Sequence, residues 1–517
     1  MAARKRIHLG LGEINSAVSL TLAAMLPMSA AAVSFPDLFG NHAIVQRTAA
    51  TAIWGRAEPG EEVEVALGAA SAKTCAGDDG WWLARLDTSA LGDGPFTLTA
   101  RGASGSEARS SDILVGEVWL AGGQSNMEFT MSGWSGAFGN IIGFDKRAAA
   151  SAGRPIRVFR SNNPCTGKAP LKGDAKGWWI VASPGKIGGC SAVGYTFIDT
   201  LQREIGGAAG VIDISVGGTR CWAWMPRETL DAHGELKAER LRQEESAAKG
   251  ETIRKPVQVC WDNRFHPVSK LSCRGVIWYQ GCCDSGQRDA RHLYPRWFSY
   301  MVSDMRRELG APDLPFLYCQ IAGWDFPAAS PDADPGAANL REAQRRAQRL
   351  IPNSGMAVTL DNSEHEIHGR YKEAAGDRLA ALALNRVYGR KDVACRSPDF
   401  LGATFGPEAA TIRFETEGSP LAAGPIRESY TWNAKSNDVI RVVRRSSPTS
   451  QLEGFTIRDG AGRWHWADAR ITGPDTVEVR ADGAANPVAV RYNWGMQGFG
   501  NLCNEAGLPA SCFTTEE

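Results

Sequence analysis

Four short stretches of the chain hold the residue types from which a nucleophilic site is built. The first is Gly122-Gly123-Gln124-Ser125-Asn126-Met127-Glu128. A serine flanked by glycine on a strand-to-helix turn is held clear of neighbouring side chains, and backbone N–H groups around it can aim at a developing oxyanion. The stretch is not G-x-S-x-G, so the nucleophile elbow of that pattern is excluded. The second, Ser215-Val216-Gly217-Gly218-Thr219-Arg220, carries a glycine pair that lets backbone approach a substrate closely. The third, Trp278-Tyr279-Gln280-Gly281-Cys282-Cys283-Asp284, offers polar side chains to a bound molecule. The fourth, Asp361-Asn362-Ser363-Glu364-His365-Glu366-Ile367-His368-Gly369-Arg370, holds two of only eight histidines. A histidine beside carboxylates on a loop before a helix suits a general base. Taken singly, each stretch fits an ordinary turn, loop or cap equally well. The H-x-x-H spacing also raises metal ligation, but H-E-x-x-H is absent and no partner cluster is evident, so no metal is expected.

The elements that must position these stretches follow from hydropathy and turn signals. Short apolar or alternating runs such as Thr51-Ala52-Ile53-Trp54 and Val63-Glu64-Val65-Ala66-Leu67, separated by Gly, Pro and Asp, predict an N-terminal β-sandwich domain over 33–112. Buried strands are then expected at Ile113–Leu120, Val211–Ser215, Gly275–Tyr279 and Pro315–Cys319. Helices are expected over Tyr195–Ile205, Leu293–Leu309, Leu340–Leu350 and Lys372–Tyr388, with a loop over Phe326–Asn339. Alternating strands and helices predict a three-layer α/β domain with a parallel sheet over 113–390. The first three motifs then stand at carboxyl ends of strands, where open α/β sheets bind ligands. Alternating runs return over 391–517 and predict a C-terminal β domain.

Composition narrows the classes. Apolar residues make up 43% and charged residues 22% of 517, which excludes intrinsic disorder, collagen and coiled coil for the bulk of the chain. Lys plus Arg and Asp plus Glu both number 57, which argues against general attraction to nucleic acid or anionic membrane. No segment has the roughly 18 uninterrupted apolar residues of a membrane-spanning helix, so no stable membrane insertion is expected. Residues 1–32 read as a secretory signal peptide: Arg4-Lys5-Arg6, the apolar run Val18–Met28 and Ala30-Ala31-Ala32. An amphipathic or disordered leader is the alternative. Export predicts a secreted or periplasmic protein and permits disulfides among the twelve cysteines, with Cys503 and Cys512 placed to close a short loop.

Together the four motifs resemble the sialate O-acetylesterase family of the SGNH-hydrolase superfamily. The family's G-Q-S-N-M matches Gly123–Met127, and its G-G-T…W matches Gly217-Gly218-Thr219 with Trp222 and Trp224. Its W-Y-Q-G-E-S-N and D-I-H-P…K read here as Trp278–Asp284 and Glu366–Lys372. Ser191–Tyr195, Leu340–Gln344 and Val490–Trp494 add to the likeness, which spans roughly 34–517. The resemblance implies a flavodoxin-like core and a serine esterase that removes O-acetyl groups from carbohydrates without metal or organic cofactor. Carried over by position, it makes Ser125 the nucleophile and His368 the general acid/base. It makes the N–H of Ser125 and of Gly217 or Gly218 the oxyanion donors. Arg220, Gln280 and Trp222 are the expected substrate contacts. Arg220 faces either a sialic acid carboxylate or a surface ion pair, and Trp134, Trp222, Trp224 and Trp324 either stack on sugars or lie buried.

Two departures stand out. The superfamily's third oxyanion donor is an Asn, and here that position is Asp284. An ionised Asp repels an oxyanion, whereas a buried protonated one donates an O–H, and a third possibility is that it points away. The adjacent Cys282-Cys283 are open to three readings: a vicinal disulfide, free thiols or cysteines paired elsewhere. The orienting acid of His368 is also altered. Glu366 takes the place of the family Asp, with a backbone carbonyl or Asp361 as alternatives, and Gly369 replaces Pro. The alternative function is therefore an impaired member that binds acylated glycans without turnover.

Overall fold

The computed structural model describes residues 32–134, 139–165, 173–325, 328–425, 430–433, 438–441 and 451–517. All but the last residue of the expected leader, 1–32, lies outside the described residues.

A seven-stranded sheet forms the middle of the molecule. Its order is Ser354–Ala357, Phe316–Cys319, Gly275–Tyr279, the second half of Glu107–Gly123, Ala209–Asp213, Ile156–Ser161 and Gly177–Val181. Neighbours are parallel except the last pair, which is antiparallel. Every residue of Ala209–Asp213, Gly275–Tyr279 and Phe316–Cys319 is buried. Such continuous apolar strands need cover on both faces. Helix Ala192–Ile205 packs on Glu373–Arg386, and Ala290–Glu308 packs on Gly336–Ala347, completing a three-layer arrangement. Ser191 caps the first of these: its hydroxyl accepts the Gly194 N–H at 3.0 Å and donates to the Met127 carbonyl at 2.6 Å. One side chain thereby fixes both a helix start and the turn that carries Ser125.

The strand Glu107–Gly123 runs through two regions. Its first half pairs antiparallel with Phe96–Gly102 in the N-terminal β region, and its second half is central in the parallel sheet. The chain passes to one side of this strand and then to the other, which makes its carboxyl end the topological switch point. The apolar cores of the N-terminal and central regions are continuous. The C-terminal sheets surround a separate core that includes Phe414, Val477, Phe455, Tyr492 and Phe513.

The structure adjusts several expectations. The stretch 326–339, expected as loop, ends in helix: Gly336 opens the helix whose start was placed at Leu340. The strands Ile156–Ser161 and Gly177–Val181 and the helix Gly234–Ala248 are additional elements. All twelve cysteines are thiols, so neither Cys282-Cys283 nor Cys503 with Cys512 forms a bridge. Cys503 lies on the Ala422 carbonyl, and Cys512 is buried by the Ala338 carbonyl. The Sγ atoms of Cys165 and Cys260 approach to 3.8 Å. Among the described residues no helix is long and apolar enough to cross a membrane.

Candidate active site

The long strand ends on two glycines for steric reasons. A Cβ at Gly122 would lie 2.4 Å from the Trp278 ring. One at Gly123, whose φ is +127°, would lie 2.2 Å from the Tyr279 carbonyl oxygen. Gln124 then anchors the turn. Its N–H donates to the Tyr279 carbonyl at 2.9 Å, and its Oε1 accepts the N–H of Gly281 at 3.0 Å and of Cys283 at 3.2 Å. Ser125 opens the short helix Ser125–Glu128 directly afterwards.

The histidine loop closes over this turn. His368 Nε2 lies 2.9 Å from Ser125 Oγ. The pair is aligned for proton transfer from the hydroxyl to the imidazole. Asn126 holds the two segments together, its Nδ2 donating to the Ile367 carbonyl at 3.1 Å while its Oδ1 accepts from the Lys372 ammonium. The Trp134 ring meets His368 edge-on, with centroids 4.6 Å apart. Burial, and secondarily the Lys372 charge, lower the His368 pKa to about 4, so the imidazole is neutral and basic at pH 7. Burial also lowers Lys372 itself, to about 8.

The second motif turn lies against Ser125: a Cβ on Gly217 would sit 3.5 Å from Ser125 Cβ. The Gly217 N–H, however, donates to Glu128 Oε2 at 2.7 Å. Gly218, with φ +73°, is exposed and faces open space. In the third motif Asp284 is fully buried. Its Oδ2 accepts the Cys221 N–H at 3.0 Å and Gln280 Nε2 at 2.5 Å, while its Oδ1 is buried with no hydrogen-bond partner. Burial raises its pKa to about 6. With that value the carboxyl is protonated below about pH 6 and ionised above it.

The model of the family described as carbohydrate esterase, sialic acid-specific acetylesterase, matches residues 115–384, just over half of the chain. The chain belongs to this family. The carbohydrate esterase fold extends further: a carbohydrate acetylesterase from Xanthomonas citri superposes with a TM-score of 0.76 at 29% identity, covering 94% of this chain and 99% of that one. Mouse sialate O-acetylesterase is 26% identical over 454 residues, spanning 75% of this chain and 79% of its own length. The human sialate O-acetylesterase is 26% identical over 407 residues, 70% of this chain and 73% of that protein. As a member of this esterase family, the protein is a carboxylic-ester hydrolase.

Within this esterase the remaining motif residues divide into those facing the site and those holding it. Gln280 is fully buried and spent internally: Nε2 donates to Asp284 and to the Thr219 carbonyl, and Oε1 accepts from the Tyr294 hydroxyl at 3.0 Å. Trp222 is buried, with Arg220 5.1 Å above its ring and Trp297 beside it. Trp224 is buried against Trp278 and donates to Thr219. Expected as substrate contacts, Gln280 and Trp222 are placed by burial in the supporting framework. Arg220 is half-buried and acts on Asp284 electrostatically, favouring its charged form. Asp361 is paired with Arg378 through two 2.6 Å contacts. Glu366 lines a small cavity with Tyr279, Ile367 and Lys372. The thiols of Cys282 and Cys283 receive the Asn126 and Gln124 amides at 3.6 and 3.4 Å. Glu128, Asn126, Gln124 and Lys372 are not singled out by the sequence, although three lie inside the matched motifs and Glu128 directly follows the first. No group of three or more His, Cys, Asp or Glu with metal-binding geometry occurs among the described residues.

Lys372 gives a direct test of the His368 environment. Lys372→Met removes a cation that opposes imidazole protonation. The acid limb of kcat/KM then moves to higher pH, with a loss of up to about twofold at about pH 5 and almost none at about pH 7, read from a pH–rate profile.

Proposed function

We propose that the protein is a serine esterase that removes O-acetyl groups from carbohydrates through an acetyl-Ser125 intermediate. The observation that carries this reading is the 2.9 Å contact between His368 Nε2 and Ser125 Oγ at the switch point of a family esterase sheet. His368 takes the Ser125 proton as Oγ attacks the acetyl carbonyl. The tetrahedral oxyanion is held by the backbone N–H of Ser125 and of Gly218, with Gly217 joining when Glu128 releases its amide. His368 next protonates the departing sugar oxygen, leaving acetyl-Ser125. It then takes a proton from water, the hydroxide carbon–oxygen bond forms, and acetate leaves as Ser125 regains its proton. Below about pH 6 protonated Asp284 is the third donor, through Oδ1. Glu366 orients the His368 loop. The leader 1–32 directs the protein to a periplasm or out of the cell.

The test is acetate release by the purified protein from an acetylated sialic acid and from acetylated xylan. Release from either supports the reading, and the preferred glycan names the substrate class. No release from these or from a small acetyl ester, by folded protein, overturns it. The second reading, binding of acylated glycans with impaired turnover, draws on Asp284 alone. It is favoured if wild type is silent and Asp284→Asn is active.

A further inference from the structure

Two thiols that the ester chemistry does not use face each other away from Ser125. The Sγ atoms of Cys165 and Cys260 lie 3.8 Å apart, across 95 positions of sequence. Both segments are held. Asn163, two residues before Cys165, clasps the returning chain: its Nδ2 donates to the Asp174 carbonyl and its Oδ1 accepts the Lys176 N–H, each at 2.8 Å. Cys260 directly precedes the π-helical turn Trp261–Phe265. In that turn Asn263 Nδ2 donates to the Val259 carbonyl at 3.0 Å, and Arg264 donates to the Ser161 carbonyl, which ties the two segments together. The thiols differ in character. Cys165 is half-buried and Cys260 is fully buried. The Cys260 contact, with the charges of Arg264 and Lys255, draws the Cys165 thiol below the ordinary range against its own burial, whereas burial pushes Cys260 above that range. The adjacent Cys282 and Cys283 are arranged otherwise, each thiol receiving a different amide.

We propose that Cys165 and Cys260 are an oxidisable dithiol, a modification site that reacts with a small disulfide oxidant and closes to a cross-link between these two segments. The accessible thiol acts first. Cys165 gives up its proton, and its thiolate attacks one sulfur of the oxidant R–S–S–R. The Cys165–S–R bond forms, the oxidant's S–S bond breaks, and the departing R–S⁻ takes the proton. Cys260 Sγ then attacks Cys165 Sγ, and its proton passes to the second R–S⁻ as that leaves. The two cysteines lose two electrons and two protons, and the oxidant becomes two R–SH. The sulfurs must close by about 1.8 Å to reach bonding distance, a shift that rotation about the Cα–Cβ bonds supplies without moving either backbone. The bond restricts the unfolded chain over the 95 positions it spans and so stabilises the fold.

The test is incubation of the folded protein with oxidised glutathione at about pH 7.5, followed by thiol blocking and peptide mapping without reduction. The expected result is a linked pair of peptides holding Cys165 and Cys260, two hydrogens lighter than the separate thiol peptides. The melting temperature rises by about 5 °C, and dithiothreitol reverses both changes. Cys260→Ala stops at glutathione on Cys165, and Cys165→Ala leaves Cys260 unmodified. The wild-type map needs neither variant to fold. Cys165 and Cys260 left unlinked in folded wild type, glutathione retained on Cys165 there, or a first link formed through any other cysteine overturns the proposal. A link that forms and leaves the melting temperature unchanged overturns the stabilising role.

Discussion

Ser125→Ala is expected to lower kcat for acetate release by about 10⁴-fold or more while leaving the melting temperature close to wild type. In the proposed mechanism the Ser125 hydroxyl oxygen bonds to the acetyl carbon, so no neighbouring group substitutes for it. His368→Ala is expected to cost a comparable factor, because an unactivated serine hydroxyl is a weak nucleophile. The double variant should be little worse than either single one. In the proposed mechanism the two residues share one proton transfer across the 2.9 Å contact, and groups that act as a unit are strongly non-additive. Single-turnover acetate release, with mass spectrometry of acid-quenched protein for an acetylated Ser125 peptide, checks both points. A Ser125→Ala enzyme retaining more than about a hundredth of wild-type kcat would place the nucleophile elsewhere.

Asp284→Asn is expected to change the shape of the pH profile as well as its height. In wild type, kcat/KM is expected to fall below about pH 4 as His368 protonates and above about pH 6 as Asp284 ionises. Asparagine places its Oδ1 where Asp284 Oδ2 accepts Cys221 and Gln280, and its amide where Asp284 Oδ1 is unpaired. It donates at every pH, so the alkaline limb near 6 disappears. At pH 7.5 the gain is about thirtyfold, the ratio of ionised to protonated Asp284 for a pKa of about 6. Stability moves the same way. The folded pKa lies above the unfolded carboxylate value, so protonation of Asp284 favours the fold. That contribution is complete below about pH 4 and is lost as pH rises through about 6. At neutral pH the Asn variant escapes a burial penalty of up to about 3 kcal/mol, visible as a higher melting temperature. An alkaline limb that survives in Asp284→Asn would assign it to another group, with Lys372 first in line.

Much of the framework was legible because parallel strands buried on both faces are written as apolar runs. Gly275–Tyr279 was placed to the residue, and the helices over 192–205, 290–308 and 373–386 were placed to within a few residues. Ile156–Ser161 and Gly177–Val181 were passed over because Arg157, Arg160 and Gly177 break the apolar signal at the sheet's edge. Gly234–Ala248 carries seven charged residues in fifteen and packs through few side chains, so no apolar stripe announces it. In the site, Ser125 and His368 were identifiable by motif, lying 243 residues apart in sequence yet in hydrogen-bond contact. What sequence did not carry was the division of labour inside the motifs. A polar side chain after a strand reads the same whether it faces solvent or turns inward, and Gln280 turns inward to Asp284, Thr219 and Tyr294. The contact between Glu128 and the Gly217 amide is likewise a product of two turns meeting across the sheet, invisible to spacing along either one.

The strand Glu107–Gly123 has a consequence for how such proteins can be cut and recombined. Domains joined by linkers can be exchanged as cassettes because few contacts cross the join. Here the join is itself a strand, paired with the N-terminal β region at one end and terminating on the nucleophile turn at the other. Inserting or deleting one residue in it would reverse which face every later side chain meets, Trp119 and Leu120 included, and would shift Ser125 off its partner loop. The N-terminal region is therefore inherited with the Ser125 turn. Any graft that replaces it must carry this strand whole, register and all, into the new host.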